Sequence, residues 1–296
     1  MSFLKNINNR FISIFSGQAH LPYVGHVGIW MILFVVAPLL IIIYFSFLQT
    51  GPFGQIISEF TINNYASVFK GTHGIIILRS LNYALLTNII CILIGYPLAL
   101  WIVNYGGRWK IFLIFLIIIP SWTCYLIRLY ALRTMIGNTG LINTALNNLG
   151  LISSPIEFLY TPYAVIFGLV YSWIPFMILP IYASLVGLNP ALLEAADDLG
   201  ANPLTKFLTV TLPQTKGGVF AGTILVFIPA FGEWLVPMLL GGAKVMMAGS
   251  LVEHYFTTMG NIPAGSAMAA MITSVVLLVI YLSVKLGGKE VLERIT

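Results

Sequence analysis

Charged residues are scarce in this chain: Asp, Glu, Lys and Arg make up 8% of its 296 residues, whereas hydrophobic residues make up 59%. A soluble globular protein normally has about a quarter of its residues charged. The mean hydropathy is +0.96, and aromatic residues occur along the whole length. This composition excludes a soluble two-domain protein and predicts a polytopic membrane protein.

Cysteine is almost absent as well. Cys91 and Cys124 lie in apolar runs and do not form a C-x-x-C pair, so the sequence contains neither a disulfide framework nor a zinc cluster. The histidines are far apart in predicted loops and form no ligand set: His20, His26, His73 and His254. We predict no metal site and no cofactor bound by this chain.

Catalytic and nucleotide-binding motifs are missing too. The sequence has no G-x-x-x-x-G-K-[ST] phosphate loop, and it has no H-E-x-x-H, G-x-S-x-G or G-x-G-x-x-G motif. The net charge of +5 comes from basic residues scattered between apolar runs, without a block of like charge. We therefore predict neither an enzyme nor a nucleic-acid-binding protein.

Six apolar segments are long enough to cross about 30 Å of hydrocarbon as helices. They predict an all-α membrane protein with a six-span domain over residues 28–286, an N-terminal cytosolic segment (1–27) and a cytosolic tail (287–296). The predicted spans are residues 28–48, 81–103, 111–131, 163–187, 218–240 and 264–286.

The basic residues predict the orientation of these spans. If the N-terminus is cytosolic, nine Lys and Arg residues fall inside and five fall outside, as the positive-inside rule requires. The tight loop Gly106–Lys110 is the clearest local signal. Both termini are then cytosolic.

The predicted cytosolic loop 188–217 is the longest connection on that face, and it contains a well-delimited helix. Asn189 is a good N-cap, Pro190 suits the first helical position, and Gly200 suits a left-handed C-terminal position. Two faces are expected on this helix, an apolar one and an acidic one opposite it: Leu192, Ala195, Ala196 and Leu199 on the first, and Glu194, Asp197 and Asp198 on the second.

The residue types in this loop and their spacing are more informative than its helical periodicity. Glu194-Ala195-Ala196, three residues, Gly200, nine residues and then Val210-Thr211-Leu212-Pro213 resembles the EAA loop of the permease subunits of ABC importers, with Val in place of Ile. The resemblance implies the type I importer fold and a coupling helix that sits in a groove of a separate ATPase subunit. The residues it assigns to coupling are Glu194, Ala195, Ala196, Asp198, Gly200 and Pro213.

Several membrane segments are similar to the spermidine/putrescine branch of this family, in particular to its putrescine-type first permease. These segments are residues 120–131, 140–143, 171–177, 227–234 and 239–242. The resemblance implies a polyamine permease in the bacterial inner membrane. Its implied partners are a second permease, two cytosolic ATPase subunits that bind ATP and Mg²⁺, and an extracytoplasmic polyamine-binding protein.

Glu233 is the one acidic residue inside a predicted span, and it is the first candidate for the substrate path. Charges within a bilayer normally face the interior of the bundle, and Pro229 and Pro237 are expected to place it on a kinked stripe. In span 3, Ser121, Tyr125 and Arg128 are expected to form a polar stripe at helical spacing. The remaining candidates are aromatic residues that could bind a cation: Trp122, Tyr125, Tyr171 and Trp173.

Alternatives remain open for both the site and the function. Arg128 could pair permanently with Glu233, which would make the glutamate structural. The same architecture could carry an anion or a metal chelate, and less favoured readings are a passive channel or a membrane enzyme.

Overall fold

The structure is a computed structural model that describes residues 21–52, 54–69 and 72–287, and these ranges are mostly helical. The helices are α1 Leu21–Met31, α2 Ala37–Ser46, α3 Asn63–Phe69, α4 Thr72–Tyr105, α5 Lys110–Ile118, α6 Tyr125–Ile136, α7 Leu141–Asn148, α8 Pro162–Val186, α9 Pro190–Asp198, α10 Pro203–Lys206, α11 Leu212–Phe231, α12 Ala248–Thr257 and α13 Ile262–Gly287. A short antiparallel hairpin, β1 Leu48–Thr50 with β2 Ile56–Phe60, follows α2.

Five helical segments of the described chain are long and apolar enough to cross a membrane, or six if a bent pair of helices is counted as one crossing. The five are Gly25–Ser46, Thr72–Tyr105, Pro162–Val186, Pro203–Phe231 and Ile262–Leu282, and the bent pair is Gly107–Trp122 with Tyr125–Asn148. The prediction of an all-α bundle of about six spans is confirmed. Of the predicted N-terminal segment and tail, residues 1–20 and 288–296 lie outside the described residues.

Proline shapes two of the crossings. A π-helical turn, Ile32–Val36, precedes Pro38, and a second, Phe207–Thr211, precedes Pro213. Proline has no N–H, and its ring clashes with the carbonyl four residues earlier. In both places that carbonyl lies inside the wide turn, so the π-helical turn accommodates the proline without ending the helix.

The core of the bundle is formed by α4, α8 and α11, which pack closely because of small residues. A Cβ atom on Gly218 would collide with the Pro180 carbonyl and the Ser184 hydroxyl of α8, and one on Gly222 would lie 2.7 Å from the sulfur of Met177. These two glycines, four residues apart at the start of α11, therefore let two helix backbones approach each other.

The third predicted span is wrong as a single straight helix. It consists of α5, a 3-10 turn over Ile119–Trp122 and α6, and the two arms are bent by 95°. Thr123 and Cys124 have extended ψ angles of 155° and 126°, and the break follows Pro120. Ser121 therefore lies on the other side of the break from Tyr125 and Arg128, and the expected helical stripe through these residues does not exist.

The fifth predicted span is also interrupted. Helix α11 ends at Phe231, residues 233 and 234 are not helical, and a π-helical turn covers Pro237–Gly241. Pro229, Glu233 and Pro237 do not share one helical stripe, which corrects that prediction. Gly249, in the first turn of α12, packs against the Gly232 and Glu233 carbonyls so tightly that no Cβ would fit.

The connecting loops are gathered at two opposite ends of the bundle. At one end, the Thr50 hydroxyl donates to the Asn261 amide oxygen at 2.7 Å, which ties the hairpin to the start of α13. At the other end, Lys110 and the α9–α10 region line one common cavity. The two loops predicted to be cytosolic therefore lie together.

The histidines were predicted to lie in loops, and for three of them this is wrong: His26, His73 and His254 belong to α1, α4 and α12.

Candidate functional site

The predicted coupling helix is present as α9, and its ends are built as the sequence indicates. The Asn189 side chain accepts a hydrogen bond from the Ala191 N–H at 3.1 Å. At the C-terminus, Gly200 has φ of +75°. The Gly200 N–H donates to the Asp197 carbonyl and the Ala201 N–H donates to the Ala196 carbonyl, which completes a Schellman motif.

The two faces of α9 differ from the prediction. Of the expected apolar face, Ala196 alone is buried, whereas Leu199 is 88% exposed. Leu193, one position before Glu194, is half-buried against the membrane helices. Glu194 and Asp198 are exposed. Helix α9 therefore rests on the bundle through a narrow edge and presents a mixed apolar and acidic surface outward.

An ion pair that sequence reasoning missed joins α9 to α10. The Lys206 ammonium donates to both Asp197 carboxylate oxygens, at 2.6 and 2.8 Å. Both groups are partly exposed, so the pair contributes roughly 0.2–1 kcal/mol. Its main effect is geometric, because it fixes the angle of the helical hairpin around Gly200.

The helical hairpin is continuous with a membrane crossing. The Asn202 side chain caps α10 by accepting from the Thr205 N–H at 2.8 Å, and the helix then runs from Pro203 through Phe231 across the π-helical turn. Pro213 lies on the exposed side of the first turn of α11. Helix α10 is thus joined without a break to a helix that passes through the bundle.

Glu233 lies in the break after α11 and is 6% exposed. One carboxylate oxygen accepts a hydrogen bond from the Tyr125 hydroxyl at 2.7 Å. The other accepts from the backbone N–H groups of Trp234 and Leu235, at 3.2 and 3.0 Å. The interrupted backbone therefore supplies donors that stabilise the buried carboxylate.

Arg128 does not pair with Glu233, so the predicted alternative of a permanent ion pair is wrong for this structure. Its Nη1 donates to the Pro120 carbonyl at 2.9 Å, which satisfies a backbone group at the break before α6. The guanidinium carbon lies 5.3 Å from the centre of the Tyr125 ring and 5.8 Å from that of Tyr171. The tyrosine that binds Glu233 thus also contacts the arginine.

Most of the predicted aromatic residues of the path come together, with one exception. Tyr125 and Trp173 have ring centres 6.1 Å apart, and Tyr171 contacts Arg128. Trp122 is 73% exposed and packs on Phe115, so it does not belong to this group. We call Tyr125, Arg128, Trp173 and Glu233 the polar cluster, and we include in it Ser121, which follows Pro120, whose carbonyl accepts from Arg128.

Three polar atoms of the polar cluster are buried without a hydrogen-bond partner among the described residues. They are Ser121 Oγ, Arg128 Nε and Trp173 Nε1. Buried polar groups are normally paired, so each of these atoms is an exception in this conformation. Within the described chain, no group of His, Cys, Asp or Glu side chains could hold a metal ion.

The fold is that of the permease subunits of ABC importers. A bacterial alginate ABC transporter in complex with an alginate pentasaccharide-bound periplasmic protein matches with a TM-score of 0.70 at 16% identity, over 97% of both chains. The methionine transporter MetNI matches with a TM-score of 0.53 at 16% identity, over 70% of this chain and 91% of that one. These identities are low enough that the likeness concerns the fold alone.

Sequence relatives define the family. The chain is 39% identical to the spermidine/putrescine transport system permease protein PotB of Haemophilus influenzae over 278 residues, 94% of each protein. It is 38% identical to PotB of Escherichia coli K12, over 88% of this chain and 96% of that protein. It is 31% identical to the inner membrane ABC transporter permease protein YdcU of the same strain. The chain belongs to the PotB family of ABC transporter permeases, although it matches no protein-family model.

Proposed function

We propose that this chain is the transmembrane permease subunit of an ATP-driven importer of polyamines, with putrescine and spermidine as substrates. The observation that carries this proposal is the 39% identity to a spermidine/putrescine permease over 94% of both chains. The capped α9–α10 hairpin supports it, since an importer of this kind needs a separate element that receives force from an ATPase.

The energy for transport comes from partner subunits. The sequence contains no phosphate-binding loop of its own, so two ATPase subunits on the cytosolic side bind ATP and Mg²⁺. They receive the outward surface of α9, which carries Glu194, Asp198 and Leu199. Because α10 continues into the helix that ends at Phe231, closure of the ATPase pair moves that membrane helix as a rigid body.

A second permease subunit completes the membrane domain. The crossing Gly25–Ser46 has no buried residue in its most apolar stretch, so most of its surface is available to lipid and to a partner permease.

In the proposed orientation, the loops 106–110 and 188–217 face the cytosol, as do both termini. The hairpin and the start of α13 face outward, toward an extracytoplasmic binding protein that delivers the polyamine to the inner membrane.

Glu233 is the group that meets the substrate. A polyamine carries ammonium groups, which only donate hydrogen bonds, so a carboxylate and a hydroxyl oxygen such as Ser121 Oγ suit it. The N–H groups of Arg128 and Trp173 do not. Since Glu233 is 6% exposed and bonded to Tyr125, the substrate reaches it once the tyrosine moves away. The Tyr125–Glu233 bond therefore closes the path in this conformation.

One observation favours the alternative of an anionic substrate: the buried Nε of Arg128 lacks a hydrogen-bond partner among the described residues. The substrate is tested with the complete transporter in proteoliposomes, with binding protein outside and ATP inside. We expect ATP-dependent uptake of labelled putrescine or spermidine. Uptake of neither polyamine would overturn the proposal, uptake without ATP would indicate a channel, and uptake of anions in their place would support the alternative.

A further inference from the structure

A cavity of about 520 Å³ lies directly behind the coupling helix, on the side that faces the membrane helices. Its floor is formed by the ends of α4 and α8, and Pro190 and Leu193 of α9 form its roof. Asn104, Lys110 and Lys206 also line it. The residues that face an ATPase in the proposed complex point the other way, so the cavity is separate from that interface.

The cavity has a net positive charge. Lys110 and Lys206 both line it, but Lys206 is neutralised by Asp197, 2.6 Å away. Lys110 is half-buried and forms no ion pair within the described part of the chain. One compensated and one uncompensated lysine, together with the Asn104 amide, match a ligand that carries a single negative charge and several acceptor oxygens.

The cavity is at the level of the membrane interface. Tyr105 and Trp109 are 77% and 56% exposed, as is typical of residues in the headgroup zone. The Arg108 guanidinium lies 5.4 Å from the centre of the Trp109 ring. Immediately beyond Lys110, Ile111 is 81% exposed, which begins an apolar surface suited to an acyl chain.

We propose that this cavity binds the phosphate group of an anionic phospholipid through Lys110, and that the bound lipid steadies α9 against the membrane helices. Basic pockets on the cytosolic side of membrane helices are suited to such headgroups. Because Pro190 and Leu193 cover the cavity, its occupation affects the position of the coupling helix. The inference depends on the proposed orientation of the chain but not on which solute is transported.

The test measures phospholipid that stays bound to the purified transporter, using native mass spectrometry after reconstitution in nanodiscs of phosphatidylglycerol and phosphatidylcholine. We expect Lys110→Gln to lower phosphatidylglycerol occupancy about fivefold, the size expected for one lysine at an anionic lipid surface. Lys110→Arg should retain the lipid. Arg108→Gln is the matched control, since it removes a neighbouring positive charge outside the cavity and should lower the occupancy less than Lys110→Gln does.

A second measurement links occupancy to coupling. The basal rate of ATP hydrolysis, measured without binding protein or solute, should change with phosphatidylglycerol content in the wild type and lose that dependence in Lys110→Gln. Equal phosphatidylglycerol retention by the wild type and an assembled Lys110→Gln complex would overturn the proposal. Competition by millimolar inorganic phosphate without lipid selectivity would overturn the lipid assignment, leaving a free phosphate as the ligand. Polyamine uptake does not enter either measurement, so the substrate proposal fails or succeeds separately.

Discussion

Glu233→Gln separates a role in attracting the substrate from a role in holding the fold. The amide oxygen of glutamine can accept from the Trp234 and Leu235 N–H groups, as the carboxylate does at 3.2 and 3.0 Å. Its NH₂ group then faces the Tyr125 hydroxyl, which can rotate to accept instead of donating. The substitution therefore removes the negative charge while the two backbone N–H groups keep an acceptor and residue 233 keeps a hydrogen bond to Tyr125.

The expected loss of transport follows from that charge. A hydrogen bond to an ionised group contributes about 1.5–3 kcal/mol, compared with about 0.5–1.5 kcal/mol for a neutral pair. If the ammonium group of the substrate binds Glu233 during passage, Glu233→Gln should lower the uptake rate at low substrate concentration by roughly tenfold. Complex assembly and ATP hydrolysis should stay close to wild type.

Glu233→Ala provides the contrast. It leaves the Tyr125 hydroxyl and two backbone N–H groups without an acceptor, at a position where the native Glu233 is 6% exposed. Each buried unsatisfied group costs about 1–3 kcal/mol, so this variant should lose assembled complex. Glu157, which is exposed, gives the matched control Glu157→Gln.

The assay is ATP-driven uptake of labelled putrescine by proteoliposomes, normalised to the amount of assembled transporter. Uptake by Glu233→Gln within twofold of Glu157→Gln would refute the role of the carboxylate in the path. Loss of assembled complex in Glu233→Gln, as in Glu233→Ala, would instead show that the charge itself stabilises the fold.

Three further predictions follow from contacts in the bundle and in the coupling loop. Tyr125→Phe removes the donor that holds the Glu233 carboxylate, so ATP hydrolysis without binding protein should rise several-fold, and an unchanged basal rate would contradict a closing role. Gly218→Val should abolish a monodisperse complex in size-exclusion chromatography, because its Cβ collides with α8. Gly217→Val, with no atom within 4 Å of the added Cβ, should be tolerated. Equal elution profiles for the two variants would exclude the tight helix contact. Gly200→Asp forces a φ of +75° on a residue with a side chain, which costs roughly 1–2 kcal/mol, and Glu194→Ala removes an exposed carboxylate. Both variants should insert normally but lose ATPase co-purification or uptake. Wild-type behaviour in both would exclude this loop from coupling.

The coupling helix could be predicted in detail because its determinants are local. A cap at Asn189, a proline at the first position and a glycine in the left-handed region act within one turn of the helix they delimit. The Asp197–Lys206 pair could not be predicted by periodicity. The two residues lie on different helices, and the Gly200 turn that brings them to 2.6 Å reverses the chain between them.

The breaks in the third and fifth crossings could not be predicted from hydropathy. Both occur inside apolar runs, and the average over a window of about 20 residues does not respond to two extended residues. Pro120 was a visible signal for the end of α5 at Ile118, since proline disrupts the helix on its N-terminal side, but it does not account for the extended residues Thr123 and Cys124 that follow it. For the second break the visible signals were Gly232 and Pro237, which lies four residues after Glu233 and disrupts the helix on its N-terminal side.

These two breaks meet at Tyr125. It begins α6 immediately after the first break, and its hydroxyl binds Glu233 within the second. In a bilayer, non-helical backbone is tolerated where it is buried in protein or lines a water-filled path. Here the freed backbone groups are paired with side chains, since the Pro120 carbonyl accepts from Arg128 and the Trp234 and Leu235 N–H groups donate to Glu233. A bundle built only for packing has no need of two such breaks against each other, whereas a path that opens and closes around a charged solute requires polar groups that can exchange partners. The convergence of both breaks on one tyrosine therefore supports the polar cluster, and not the exposed Trp122, as the position where the substrate passes.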